Sequence, residues 1–203
     1  MQVARYTNTA IALHWLIALG IATNVTLAWL WPHLLPDYMI PHLWPNADVG
    51  GAVRSAIDTH KSIGITVLGL ALMRVLWRIN HAPPPIPTAY QKWEIALAHI
   101  THVLHYVLLF AMPLTGWIMD SAWKDAPTHP MHFFGTFEFP RIPWVMQLDP
   151  PLRENFHTWF GKAHEWFAYV LYVLFVLHVA GALKHQFAGE KELQRMLPGR
   201  RGS

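Results

Sequence analysis

The 203-residue chain contains no cysteine. That absence excludes disulfides, cysteine-ligated iron–sulfur clusters and the C-x-x-C-H motif through which haem is attached covalently. Charge is also scarce, at 13% of residues. A Walker-type loop, G-x-G-x-x-G and H-E-x-x-H are all missing, so nucleotide binding and zinc proteolysis have no sequence basis. Internal repeats, low-complexity segments and an interleaved basic and aromatic platform for nucleic acid are absent as well. The formal charge of +3 needs no nucleic acid, because basic tails beside anionic lipid account for it.

What the chain has in abundance is apolar surface. Hydrophobic residues make up 53%, tryptophan occurs 11 times and the mean hydropathy is +0.22, which is too apolar for an ordinary soluble domain. Spans of about 20 residues are long enough to cross a bilayer. Four occur, roughly Ala10 to Trp31, Lys61 to Trp77, Ile95 to Met119 and Gly161 to Phe187. The first contains His14 and lacks a small-residue cleavage site, so it is read as retained rather than as a signal peptide. Arg74, near the end of the second, is expected to snorkel to the interface with Arg78. Trp15, Trp29, Trp31, Trp77, Trp117, Trp159 and Trp166 fall towards span ends, where amphipathic rings favour the headgroup region.

Four spans place both termini on one side. Arg5, Arg74, Arg78, Lys92, Lys184, Lys191, Arg195, Arg200 and Arg201 lie on that side, against Arg54, Lys61, Lys124, Arg141, Arg153 and Lys162 on the other. Nine basic residues against six favour cytoplasmic termini. The expected architecture is therefore all-α: a multi-pass four-helix membrane bundle, one domain over 1–203.

The first connection is rich in proline and turn formers, with a short helix expected at Arg54 to Thr59. The second, NHAPPPIPTAYQKW, reads as extended polyproline II. The third, about Asp120 to Phe160, is long for a connection. Its Trp123, Phe133, Phe134, Phe137, Phe139 and Trp144 point to packing on the membrane face or over the bundle.

The chemistry sits in histidines. His164 and His178 lie fourteen residues apart on one apolar stretch, nearly four helical turns, so their rings share a side at depths differing by about 21 Å. A histidine inside a membrane span is costly and usually faces a cavity, a partner or a cofactor. His14 lies near the start of the first span and His178 deep in the fourth, so alternating helix direction brings them to one depth. His60 and His164 match in the same way towards the other side. This set of four at two depths implies two non-covalently held haems, ligated by His14 with His178 and by His60 with His164. Gly64, Ala168 and Gly181 follow three of these histidines by three or four residues and leave room for a macrocycle, although close helix packing explains small residues equally well. The bland alternative for each histidine is a ring satisfied by a carbonyl or a neighbouring side chain.

His99, His102 and His105 form a rival set on one broad helix face. They are candidates for alternative ligands, for propionate partners, or for a quinone or proton site, and His105 is the best challenger to His14 or His178. His33, His42, His81, His129, His132 and His157 lie in connections, where solvated roles are the default, and His185 reads as interfacial.

ALHW around His14, HKSIG around His60, LAHITH leading to MPLTG, WFGKAHEWFAYVLYVLFVLHVAGALKHQF and the tail LQRMLPGR resemble the bacterial cytochrome b561 family of four-helix dihaem membrane proteins. That resemblance covers nearly all the chain except the connections. It implies two haem b groups with His14, His60, His164 and His178 as axial ligands. One bacterial member is a superoxide oxidase that passes electrons from periplasmic superoxide to ubiquinone, and the resemblance implies that activity here. Six basic against nine acidic residues leave the outer side at a formal −3, which does not steer an anion from a distance. A local patch of Lys61, Lys162, Arg54 and Arg153 near the outer haem would do so instead, with Lys61 and Lys162 foremost.

Two imidazoles on one iron fill both axial positions, so electrons would pass through the haem edge. Leu171 and Phe175, on the same face between the two ligand positions, would pack between the two haems or simply fill the core. Two other functions compete with superoxide oxidation. One is an electron-transfer subunit linking a partner dehydrogenase or soluble cytochrome to the quinone pool. The other is a transporter or metal-handling protein built on His99, His102 and His105.

Overall fold

The computed structural model describes residues 4–34, 49–85 and 90–197. Most of the proline-rich first connection and part of the second, including His42, lie outside the described residues. Helix α1 spans Asn8–Leu34 and is capped by Thr7, whose Oγ1 accepts the Ala10 backbone N–H at 3.3 Å. Helix α2 spans Val49–Asn80. Helix α3 spans Lys92–Ser121, with Pro113 inside it, and opens with the Glu94 carboxylate accepting the Gln91 backbone N–H at 2.8 Å. A short helix α4, Pro143–Met146, precedes α5, Pro150–His185. A π-helical turn at Gln186–Glu190 leads to α6, Glu192–Arg195.

Four stretches are long and apolar enough to cross a membrane: Asn8–Trp29, Arg54–Asn80, Lys92–Ser121 and Pro150–Glu190. The sequence-based spans were too short at several ends. The helix expected from Lys61 starts at Val49 and absorbs the short helix expected at Arg54 to Thr59, which puts His60 about three turns inside α2. The helix expected from Gly161 starts at Pro150. Asp149 followed by two prolines is a helix start signal, and the charged turns that follow extend the helix beyond the apolar stretch.

In the bundle α1 lies along α2, α2 against α3, and α3 against α5. Leu108, Leu171 and Leu174 form the buried centre, with Ile21 and Phe167 packed on it. The outer surface is apolar, with Leu19, Val173 and Val176 among the residues left exposed. Lipid would cover them, because a soluble surface rarely carries so much contiguous apolar area.

The far face is closed by residues 122–149. Strand β1, His132–Phe133, pairs antiparallel with β2, Phe137–Glu138. The turn between them takes two left-handed residues, Phe134 at φ 47 and Gly135 at φ 70; glycine accepts that conformation without a Cβ penalty. The cap is tied down at four points. The Phe134 backbone N–H donates to Ser62 Oγ at 2.9 Å, Ile142 N–H to Ser121 Oγ at 3.0 Å, and Trp117 Nε1 to the Pro140 carbonyl at 3.1 Å. Arg141 Nε meets Asp120 Oδ2 at 2.8 Å. The expected loop from Asp120 to Phe160 is therefore an ordered cover followed by the first turns of α5.

At the opposite, terminal face the two ends of the described chain meet. Arg195, 4% exposed, donates to the carbonyls of Ala4 at 3.2 Å, Pro84 at 3.2 Å and Pro85 at 2.8 Å, and also pairs with Glu192. Trp15 Nε1 donates to the Met196 carbonyl at 2.7 Å. Tyr90 donates to Glu192 at 3.0 Å and stacks on His185. Its hydroxyl is pushed up from the usual tyrosine range by burial and by the Glu192 carboxylate beside it.

Candidate functional site

The bundle carries two pairs of facing histidines. Towards the far face, His60 of α2 and His164 of α5 have ring centroids 6.2 Å apart. Towards the terminal face, His14 of α1 and His178 of α5 are 6.1 Å apart. Two imidazoles on opposite sides of one metal ion, with metal–nitrogen bonds of about 2.0–2.1 Å and about 1.1 Å from nitrogen to ring centre, have centroids about 6.3 Å apart. Both pairs match that spacing.

A cavity of about 520 Å³ surrounds the far-face pair, within the range of cofactor sites. Its walls are apolar, with Ile21, Val25, Met112, Ala168 and Leu171 among them. Of the two residues expected between the pairs, Leu171 is buried and lines this cavity. Phe175 is 50% exposed and lies outside its walls.

The MPLTG segment of α3 forms the cradle of His164. His164 Nδ1 donates to the Met112 carbonyl at 2.9 Å and lies 3.3 Å from Thr115 Oγ1. Thr115 spends its own hydrogen on the Ala111 carbonyl at 2.7 Å. A carbonyl can only accept, so Nδ1 carries the hydrogen and Nε2 keeps the lone pair that ligates a metal. At Gly116 an added Cβ would come within 3.1 Å of the His164 ring, so a larger residue there would crowd the imidazole by a few tenths of an ångström. The sequence offered this motif only as a resemblance; the proline followed closely by glycine in an apolar helix was its physical signal. The His60 ring is buried beside the Asn24 backbone of α1. The matched spacing, the fixed tautomer of His164 and the apolar cavity fit a flat macrocycle with a central metal.

His178 has other neighbours. His102 lies 5.9 Å from it and His105 5.3 Å, both closer than His14. The His105 spacing is too short for an iron between two rings, and its Nδ1 donates to the Thr101 carbonyl at 2.8 Å. His99 Nδ1 donates to the Ile95 carbonyl at 2.8 Å. His99 and His102 line a small cavity of about 180 Å³ with Tyr6, Arg78 and Tyr106. Among the described residues no three His, Asp or Glu side chains converge as a metal site, so the structure does not assemble His99, His102 and His105 into one.

Two cations near the histidine pairs have partners within the bundle. Arg74 reaches the start of α1: its Nη1 donates to the Ala10 carbonyl at 3.0 Å and its Nε to Tyr106 Oη at 3.3 Å. Because α2 continues to Asn80, Arg74 sits more than a turn inside the helix end and finds its partners within the bundle. Lys61 lines the far-face cavity, but its Nζ is 2.7 Å from Asp120 Oδ1 and 3.9 Å from Asp58, which offsets the charge wanted for steering. Lys162 is exposed.

Residues 5–199 match the family described as Prokaryotic cytochrome b561. The chain is 32% identical over 195 residues to cytochrome b561 homolog 2 of Escherichia coli, covering 95% of this chain and 91% of that protein. It is 24% identical over 208 residues to the probable superoxide oxidase CybB of Yersinia pestis, covering 98% of each. Cytochrome b561 homolog 1 of Escherichia coli is 22% identical over 205 residues, covering 97% of this chain and 99% of its own. Four membrane-length helices and a family match along nearly the whole chain lead to one conclusion: the chain belongs to the prokaryotic cytochrome b561 family, membrane electron-transfer proteins that bind b-type haem.

Proposed function

We propose that the chain carries electrons across a bacterial inner membrane on two b-type haems, one held by His60 and His164 and the other by His14 and His178. Both termini are cytoplasmic and the far face is periplasmic. The observation that carries this reading is the facing of four histidines in two pairs at 6.1 and 6.2 Å. The haem supplies one-electron redox chemistry when bound. The protein ligates, orients and buries it: Met112 and Thr115 fix the His164 tautomer, Gly116 clears the ring, and the apolar walls exclude water. The 122–149 cover shields the far-face pair from the aqueous side.

The donor in this reading is superoxide and the acceptor ubiquinone. Two superoxide anions each lose one electron and leave as dioxygen, and ubiquinone takes both electrons with two protons to become ubiquinol. The similarity to a probable superoxide oxidase supports the donor. With Lys61 paired, the exposed Lys162 and Arg54 are the members of the expected patch that would attract it. In liposomes containing ubiquinone, enzymatically generated superoxide should form ubiquinol faster with the holoprotein than with a haem-deficient His164→Ala control; equal rates overturn this donor.

A second reading, an electron-transfer subunit serving a partner dehydrogenase or soluble cytochrome, is favoured by the exposed Phe134, Phe137 and Trp144 of the cover. A stoichiometric partner that copurifies with the native protein and dissociates from a Phe134→Ser, Phe137→Ser variant supports it; purification of a single chain opposes it.

A further inference from the structure

Charge at the terminal face does not balance. Its carboxylates each have a partner of their own: Glu94 pairs with Lys184, Glu190 with His185 and Glu192 with Arg195. Arg74 and Arg78, one turn apart on α2, have no carboxylate partner among the described residues. The far face differs, since Lys61 and Arg141 share Asp120 there. A cation in a membrane span is costly and usually faces an anion, a carbonyl or a wet cavity. The half-buried Arg74 gives Nη1 to the Ala10 carbonyl and Nε to the Tyr106 hydroxyl. These neutral partners fix the guanidinium without offsetting its charge, and Nη2 makes no hydrogen bond among the described residues.

Both cations lie beside the terminal-face histidine pair. Ala10, whose carbonyl holds Arg74, is one helical turn before His14 on α1. Tyr106 follows His105, whose ring is 5.3 Å from His178. Arg78 lies over the Tyr106 ring, its Cζ 5.6 Å from the centroid. With Tyr106 and His102 it lines the cavity of about 180 Å³, which has no acidic residue in its walls, and His102 is 5.9 Å from His178. One run of side chains thus leads from the histidine pair to a pocket beside two uncompensated positive charges. Haem b carries two propionate carboxylates on one edge, and a buried carboxylate needs a cation as much as a buried arginine needs an anion. We propose that Arg74 and Arg78 bind the propionates of the haem held by His14 and His178, with the carboxylate edge towards the terminal face. This rests on the ligand assignment made above. The planar guanidinium suits a carboxylate, to which it can give two parallel N–H bonds. A phospholipid phosphate is a poorer match for Arg74, which is bonded to α1 and α3 more than a turn inside the end of α2.

The test uses holoprotein from cells fed aminolaevulinate with heavy carbon in its carboxyl group, which labels haem only at the propionate carboxyls. Redox-induced infrared difference spectra then report those groups in wild type, Arg74→Gln, Arg74→Lys and Arg78→Gln. A carboxylate that loses its arginine binds a proton more readily. Each glutamine variant should therefore show a protonated propionate band near neutral pH that wild type lacks, and the midpoint potential of one haem should become pH-dependent. On the alkaline side, loss of the positive charge should lower that potential by about 59 mV or more, a tenfold change in the ratio of ferrous to ferric haem. Arg74→Lys keeps the charge and should keep the potential, while its point charge in place of a fork should shift the carboxylate stretch. Loosened packing alone would produce no new ionising carboxyl. Unmoved propionate bands in a glutamine variant overturn the role of that arginine; if acidic phospholipid is lost from that variant at the same time, a headgroup was its anion. Where Arg74→Gln does not assemble, the carboxylate shift in Arg74→Lys decides by its presence or absence. His178→Ala separates the two levels of the claim: retention of both haems there overturns the ligand assignment itself, whereas loss of one haem with unmoved bands in the arginine variants overturns only the role of the arginines.

Discussion

His164 on α5 donates its Nδ1 hydrogen to the Met112 carbonyl on α3 at 2.9 Å, immediately before the proline that interrupts the α3 ladder. Pro113 has no N–H to give, and the segment around it serves the imidazole: one carbonyl, one hydroxyl and one missing side chain. Gly116→Ala should therefore shift the His164 ring by a few tenths of an ångström. We expect weaker haem retention with helix content unchanged, read by pyridine haemochrome quantification against protein and by circular dichroism. Full haem content in this variant would show that the clearance at Gly116 is not needed.

Single replacements His164→Ala and His178→Ala should each remove one haem and leave the other in place, because the two positions lie about 21 Å apart along α5. Haem quantification with split redox titrations reads this. Loss of both haems from either variant would mean that the sites assemble as one unit.

The facing of these histidines in two pairs was legible in the sequence because helical period and alternating direction are local rules. Fourteen residues put His164 and His178 on one side of α5, and opposite helix directions bring His60 and His14 to their levels. What was not legible depends on contacts distant in sequence. Nothing local marks Asp120 as the partner of both Lys61 and Arg141, or Arg195 as the buried link between both ends of the chain and the prolines after α2. Arg195 reads as one more basic tail residue until its carbonyl partners are seen. The early start of α5 was missed because an apolar-run criterion stops where Arg153 and Glu154 begin to alternate with apolar residues, although Asp149 and Pro150 marked the true start.

Asp120→Asn should have two effects of opposite value. Removing the carboxylate from a buried ion pair leaves Arg141 uncompensated, which costs about 3–5 kcal/mol and should lower the melting temperature of the detergent-solubilised protein. It also frees the Lys61 charge beside the far-face cavity, so reduction by an anionic donor should become faster and more sensitive to salt. Stopped-flow reduction across a range of ionic strengths checks this; a rate and salt slope equal to wild type would show that Lys61 has no part in donor approach.

The clasp at the terminal face should loosen in alkali. Burial and the Glu192 carboxylate raise the Tyr90 hydroxyl above its ordinary value, so the neutral phenol is favoured in the folded state. The stabilisation is fully present below the unfolded tyrosine value of about 10 and is lost as pH rises above it towards the higher folded value. Thermal melts from pH 8 to beyond 10 should decline more steeply in wild type than in Tyr90→Phe. Parallel curves would contradict this.

Membrane potential should bias the two haems against each other. Ligand levels about 21 Å apart in a hydrocarbon core of about 30 Å span roughly 0.7 of the field. An electron moving between them therefore gains or loses about 1.6 kcal/mol per 100 mV, roughly a fifteenfold change in partition. Spectra of partly reduced protein, oriented in liposomes under an imposed potassium diffusion potential, measure this. No redistribution would place both haems at one depth.

The most direct measurement is the reduced-minus-oxidised visible spectrum of the purified protein with haem quantified per chain. Two non-covalent b-type haems per chain, both low-spin with two imidazole ligands, are what the paired histidines require. One haem per chain, or none in a folded preparation, would contradict the account.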